Sequence, residues 1–184
     1  MTPERFLHEA LGNPINAELL RRLPALGLDQ CFLTAGCLFQ AIWNGLSRRP
    51  AEAGVKDYDV FYFDGSDLSF EAEDAVISRI RSLTLDLDVK IDVKNQARVH
   101  CWYEQRFGAS YARLLSTKDG IDRYLVACTC VGIDVSNGEL YTPNGLVDLY
   151  SGLLRINPLN PQPQRFREKA QDYCARWPWL RVVD

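Results

Sequence analysis

The chain has 184 residues, 47% of them hydrophobic and 24% charged, which is ordinary for one globular domain with a single core. Its formal net charge of -3 and isoelectric point of about 5.5 give it no global basic field of the kind that draws proteins onto duplex DNA. No stretch approaches the roughly 18 apolar residues that span a bilayer and nothing near Met1 reads as a secretory leader, so a cytoplasmic protein without membrane contact is expected.

Thr2-Pro3 ahead of ERFLHEAL reads as an N-cap with proline at the first helical position. A second helix is expected to open at Asn16, with Leu19, Leu20 and Leu23 as its apolar stripe. These two helices form a helical segment, 1–28. CFLTAG at 31–36 is a short apolar run ending in glycine, and Leu38, Phe39, Ile42, Trp43 and Leu46 then recur at helical spacing, giving strand, turn and helix. SRRPAEAG at 47–54 is an exposed connection. DYDVFYFD at 57–64, aromatic and β-branched, predicts a strand closed by DGSD.

From Phe70 to Leu83 the positions Ala72, Val76, Ile80 and Leu83 share a helical face, with Glu71, Glu73 and Asp74 in a first turn that favours anions. LDLDVKIDVK at 85–94 alternates strictly, so a strand is expected with Leu85, Leu87, Val89, Ile91 and Val93 inward. VHCWYEQRF predicts a short helix. VACTCVGIDV and ELYT flank Ser136-Asn137-Gly138 and predict a hairpin; GLVDLYSGL predicts a brief helix. NPLNPQP at 157–163 reads as an extended strap, and a last helix buries Phe166, Ala170, Tyr173 and Trp177 before Pro178 stops it. The fold class expected is α/β (α+β), a mixed sheet with helices mainly on one side, in a single domain 1–184 with its core at 29–110 and a hairpin and helices at 111–184.

Six cysteines, Cys31, Cys37, Cys101, Cys128, Cys130 and Cys174, lack the C-x2-4-C spacing of zinc sites, since Cys128 and Cys130 are only two apart. Buried free thiols acting as small hydrophobes are expected.

Two carboxylates at i and i+2 in a strand leave the same face about 6–7 Å apart, close enough to converge on one cation. Asp57 and Asp59 have this spacing, and Asp92, on the polar face of the 85–94 strand, can complete the oxygen set. Two magnesium ions about 4 Å apart would then hold an attacking hydroxyl and a leaving pyrophosphate. Asp86-Leu87-Asp88 has the same D-x-D spacing; what singles out the first pair is the strand that ends at Ala35-Gly36-Cys37 and opens directly into a helix, whose amides can meet a triphosphate.

LTAGCLFQAIWNGL, DYDVFYFD, KIDVKNQARVHCWY and TPNGLVDLY, spread from about Leu33 to Trp177, together resemble a bacterial family of small nucleotidyltransferase-like proteins in the polymerase-β type nucleotidyltransferase superfamily. The resemblance implies a nucleotidyltransferase fold and transfer of an NMP from an NTP. Two departures stand out. Cys37 occupies a position where the superfamily commonly has serine, and the gap from Gly36 to Asp57 is longer than usual. A thiol donates more weakly than a hydroxyl, so either backbone amides carry the phosphate contact or nucleotide binding is weak.

Lys94 and Arg98 are candidates to neutralise phosphate, and Asn95 or Gln96 to read a base or ribose. The structural alternative is that Asn95 and Gln96 satisfy backbone groups and that Arg98 and His100 make structural hydrogen bonds. Trp43, Trp102, Tyr103, Trp177 and Trp179 are read as packing, and Asp148 as a helix or turn cap rather than a fourth acid. The expected catalytic and metal residues are therefore Asp57, Asp59 and Asp92, and the nucleotide-binding residues Gly36, Cys37, Lys94 and Arg98.

The activity expected is metal-dependent transfer of NMP from an NTP to a hydroxyl or phosphate acceptor with release of pyrophosphate, with Mg2+ or Mn2+ as cofactor. The acceptor is a small molecule, an RNA end or a protein; neither a membrane nor duplex DNA is an expected partner. The alternative is a non-catalytic nucleotide-binding or protein-interaction module that keeps the fold and a cation site. A metal phosphohydrolase is disfavoured because the only histidines are His8 and His100.

Overall fold

The computed structural model describes residues 1–108 and 111–183; the boundary expected at 110 and the terminal Asp184 lie outside them. Helix α1 (Pro3–Ala10) starts as the sequence indicates, with the Thr2 hydroxyl accepting from the Arg5 amide at 3.3 Å. Helix α2 runs Pro14–Arg22 and is capped by Asn13, not opened by Asn16. Asn13 Oδ1 accepts from the Ile15 amide at 3.0 Å, and Pro14 suits a first turn that needs no N–H. Asn16 is instead fully buried, its amide donating to the carbonyls of Ala10 and Cys37, both at 2.9 Å, which ties the helical segment to the helix after the glycine turn.

The sheet is built from β1 (Phe32–Thr34), β2 (Tyr58–Tyr62), β3 (Ile91–Asn95), β4 (Gly132–Asp134) and β5 (Leu140–Tyr141) in the order β3-β2-β1-β4-β5. Only β2 and β3 are parallel; the other neighbours are antiparallel, so the sheet is mixed as expected. Helices α3 (Gly36–Leu46) and α4 (Phe70–Leu83) connect the first three strands. Leu33, Val60, Val93 and Ile133 point from the sheet into the main core, where they meet Phe6 of α1, Leu19 of α2, Leu38 and Ile42 of α3 and Ile80 of α4. The opposite face carries only a small cluster of Phe32, Ile121 and Cys130. One face is thus closed by helices, and part of the other is left for a cavity.

Beyond β3 come α5 (Val99–Phe107), α6 (Thr117–Ile121), α7 (Val147–Ser151) and α8 (Pro163–Arg176), with β6 (Leu153–Leu154) and β7 (Arg181–Val182) as a separate parallel pair. Helix α8 is fixed to α3 by aromatic rings: Trp43 lies 5.2 Å, centroid to centroid, from both Tyr173 and Trp177. Trp177 Nε1 also donates to Asn44 Oδ1 at 3.0 Å, so a buried polar pair fixes the register of the two helices.

Three expectations need correction. The strand expected over 85–94 begins only at Ile91; Leu85–Leu87 is a single 3-10 turn, Asp88 is left-handed at φ 50°, and Leu85 is 78% exposed. The reason is the partner strand. Ile91 pairs with Tyr58, where β2 begins, so the residues before it have no ladder to join. Meanwhile Asp86 is held by a two-pronged ion pair with Arg22 at 2.5 and 2.8 Å. The hairpin is also narrower than expected, because Ala127–Thr129 forms a 3-10 turn and pairing is confined to β4 and β5. The opening of α2 at Asn16 is the third.

Candidate functional site

The alternation of β2 buries Tyr58, Val60 and Tyr62 in the core and turns Asp57, Asp59 and Phe61 to the other face. Asp59 stands directly opposite Asp92 in the parallel pair, so two carboxylates from neighbouring strands are adjacent by register alone. All three aspartates line one cavity of about 370 Å³, within the range of about 300–1,000 Å³ usual for small-molecule sites. Sequence spacing and strand pairing together therefore bring the predicted carboxylates to one place.

Burial first, and then the neighbouring charges of Asp57 and Asp92, push the Asp59 carboxyl up to about 7. A half-buried acid next to two others is an unfavourable place for a third negative charge, and an excellent one for a cation. The donor set is oxygen only, which suits a hard divalent ion such as Mg2+ or Mn2+. Its arrangement is another matter: among the described residues no three His, Cys, Asp or Glu side chains form a ready metal group. Asp92 Oδ1 is 2.6 Å from Lys94 Nζ, and Asp57 Oδ2 is 3.3 Å from Lys90 Nζ. A divalent ion shared by the three aspartates would have to draw the outer two away from these lysines.

Gly36 borders the same cavity at the start of α3, and no side chain caps that helix. Its first amides are thus left to solvent or to an anion. The preceding Ala35 has φ 64° and ψ −138°, a conformation that L residues rarely adopt, so strain is stored at the point where the strand turns into the helix. A Cβ at Gly36 would stand 2.5 Å from Gln40 Nε2, a side chain held there by Arg176, whose Nη2 donates to Gln40 Oε1 at 2.6 Å. Cys37 does not line the cavity. Its thiol is fully buried, donates to the Thr34 carbonyl at 3.2 Å, and is pushed well up in pKa by burial, then by the Asp59 charge. Any phosphate contact at this turn falls to backbone amides.

Lys94 lines the cavity and is committed to Asp92; Arg98 does not line it. The Arg98 guanidinium is buried, pairs with Glu73 and donates through Nε to the Leu68 carbonyl at 2.8 Å. Glu73, in the first turn of α4, is itself buried and accepts from the Asn95 amide at 2.7 Å. Asn95 accepts from the amides of Asp64 and Ala97, so it shapes the strand end, whereas Gln96 faces the cavity with its side-chain amide against Gly120. His100 does not line the cavity, and its buried Nδ1 finds no hydrogen-bond partner among the described residues. Asp148 accepts from Arg155 Nε at 3.0 Å and does not cap α7, so its reading as a cap is corrected to an ion pair.

Trp43 and Trp177 are packing, fully buried as expected. Trp102 and Tyr103 are half-buried, pack against neighbouring rings and also line the cavity. So do Tyr111, Tyr124, Arg123, Arg165 and Lys169, none of which sequence reading singled out. Arg165 and Lys169 sit four apart on α8, at the margin of its apolar stripe, where the helical pattern gives them the look of ordinary solvent-facing cations.

A model of the nucleotidyltransferase family matches residues 21–182. Among solved structures, one determined by NMR and described as revealing a CCA-adding enzyme head domain is 25% identical, with a TM-score of 0.76 over 100% of this chain and 96% of that one. A tRNA-processing enzyme in an apo form is 16% identical with a TM-score of 0.49, covering 100% of this chain and 45% of that one, a likeness too slight to argue from. No curated protein matches the sequence.

Proposed function

Because the chain belongs to the nucleotidyltransferase family, we propose that it transfers an NMP from an NTP to a hydroxyl or phosphate group of a small molecule, an RNA end or a protein, releasing pyrophosphate. The observation that carries this reading is the set of Asp57, Asp59 and Asp92 on paired strands at one cavity, beside the uncapped start of α3. The likeness to a CCA-adding enzyme head domain supports it at the level of the fold and of nucleotidyl chemistry.

In this reading Asp57 and Asp59 hold Mg2+ or Mn2+, and Asp92 holds a second ion or orients the acceptor. The bound metal would neutralise phosphate charge and sharpen the acceptor hydroxyl as a nucleophile. The chain's own groups do the rest. The amides of Gly36 and Cys37 receive phosphate oxygens at the helix start, and Lys94, once released from Asp92, adds a positive charge near them. The acceptor oxygen forms a bond to the α-phosphorus, the bond to pyrophosphate breaks, and the acceptor proton passes to a neighbouring carboxylate oxygen.

A second reading, a nucleotide-binding or interaction module without turnover, is favoured by two observations: the Cys37 thiol is turned away from the cavity, and both outer aspartates are engaged by lysines. The two are separated by incubating the protein with α-labelled or γ-labelled NTPs, Mg2+ or Mn2+ and a cell extract. NMP transfer predicts incorporation of the α label alone, abolished in an Asp57→Asn/Asp59→Asn variant. Nucleotide binding without incorporation supports the module, and incorporation that survives the double substitution removes the aspartates from the chemistry.

A further inference from the structure

Three carboxylates account for one part of the cavity. The same walls carry four cations, Lys94, Arg123, Arg165 and Lys169, and a group of aromatic rings. Arg98, the second cation expected for phosphate, is buried against Glu73, so any further phosphate ligands must come from elsewhere.

Helix α8 supplies the strongest candidates. Arg165 and Lys169 are one turn apart and face the same way. Lys169 lines the same cavity as the three aspartates. Arg165 Nη1 donates to the Tyr103 hydroxyl at 3.2 Å. The helix carrying them is held to α3 by Tyr173 and Trp177, and Arg176 of α8 holds Gln40 beside Gly36. The cations of α8 and the free amides of α3 are therefore parts of one rigid frame.

The rings of Tyr103 and Tyr111 lie 4.3 Å apart between centroids, tilted by 34°, and the Arg123 guanidinium lies 5.2 Å from the centre of the Tyr111 ring. The two rings stack on each other and the guanidinium covers Tyr111 further, so the pair is a packed wall of the cavity and not an open platform for a base.

We propose, on the reading that this cavity takes an NTP, that α8 completes the nucleotide site: Lys169 and Arg165 bind phosphate oxygens, with the Tyr103 hydroxyl accepting from the Arg165 guanidinium at the cavity wall. A cavity of about 370 Å³ then holds one nucleotide, and the acceptor approaches from outside it.

Calorimetric titration of the purified protein with ATP, CTP and inorganic tripolyphosphate in Mg2+ tests this without any turnover. The Arg165→Gln/Lys169→Gln variant is expected to weaken all three by about tenfold or more, the size of one lost charge-assisted hydrogen bond, and to flatten the salt dependence. If the double variant melts early, Lys169→Gln alone, at an exposed position, is expected to show part of the loss at an unchanged melting temperature. ATP affinity that survives removal of the α8 cations overturns the proposal while leaving the transferase reading in place. An unsubstituted protein that binds none of the three ligands overturns both proposal and reading.

Discussion

Lys94 Nζ lies 2.6 Å from Asp92 Oδ1, so a lysine ammonium sits against one carboxylate of the proposed metal site. Lys90 stands in the same relation to Asp57 at 3.3 Å, but it is 69% exposed and correspondingly weak. Replacing Lys94 by methionine removes a competing charge from the less exposed pair. The expected outcome is a three- to tenfold rise, roughly, in Mn2+ affinity of the nucleotide-free protein, read by electron paramagnetic resonance, together with weaker ATP binding. Lys90→Met should change Mn2+ affinity less.

Asp59 makes stability depend on pH in a definite direction. Its folded carboxyl stands at about 7 against an ordinary 3.8, so the folded state holds a proton that the unfolded state has already lost. Its contribution to stability is complete below the ordinary value and falls away as pH rises toward 7, by at most about 4 kcal/mol. Melting temperatures should decline across that window in the unsubstituted protein and decline less in Asp59→Asn. Mg2+ at pH 8 should raise the melting temperature of the former more than that of the latter.

Arg98 should behave as a structural residue. Its pair with Glu73 is buried on both sides and links β3 to α4 through the Asn95 amide. Arg98→Ala leaves a buried carboxylate without its partner, a change that costs about 3–5 kcal/mol. Chemical denaturation should show that loss, and ATP affinity, measured where the variant is still folded, should stay close to that of the unsubstituted protein. A selective loss of ATP binding at unchanged stability would restore Arg98 to the nucleotide site.

Ala35 stores backbone strain at φ 64° immediately before the uncapped start of α3. Glycine occupies that conformation without a Cβ clash, so Ala35→Gly is expected to stabilise the protein by about 1 kcal/mol or to leave it unchanged, the relief of strain being partly offset by a more flexible unfolded chain. Ala35→Val should destabilise it. Thermal unfolding of the two variants side by side separates strain relief from a mere change of side-chain volume.

Much of this was legible in the sequence because short-range periodicity carried it. The i, i+2 spacing of Asp57 and Asp59 alone places both on one face, and the apolar stripes of α4 and α8 survive, as does that of α3 except for Leu46, which is exposed at the helix end. What failed depended on partners distant in the chain. Residues 85–90 alternate like a strand, yet β2 starts too late to pair with them, and Arg22 holds Asp86 from 64 positions away. Arg98 looked like a phosphate ligand because nothing local reveals the Glu73 waiting across α4. Arg165 and Lys169 were passed over for the complementary reason: cations beside an apolar stripe look solvent-facing until the fold turns them toward a cavity.

The central claim is that Asp57 and Asp59 hold a divalent ion beside a bound nucleotide, with Asp92 holding a second ion or orienting the acceptor. A crystal soaked with Mn2+ and a non-hydrolysable NTP tests it most directly, through the anomalous signal of the metal. Manganese at Asp57 and Asp59, next to the nucleotide phosphates, is the predicted result. Manganese bound elsewhere would contradict it.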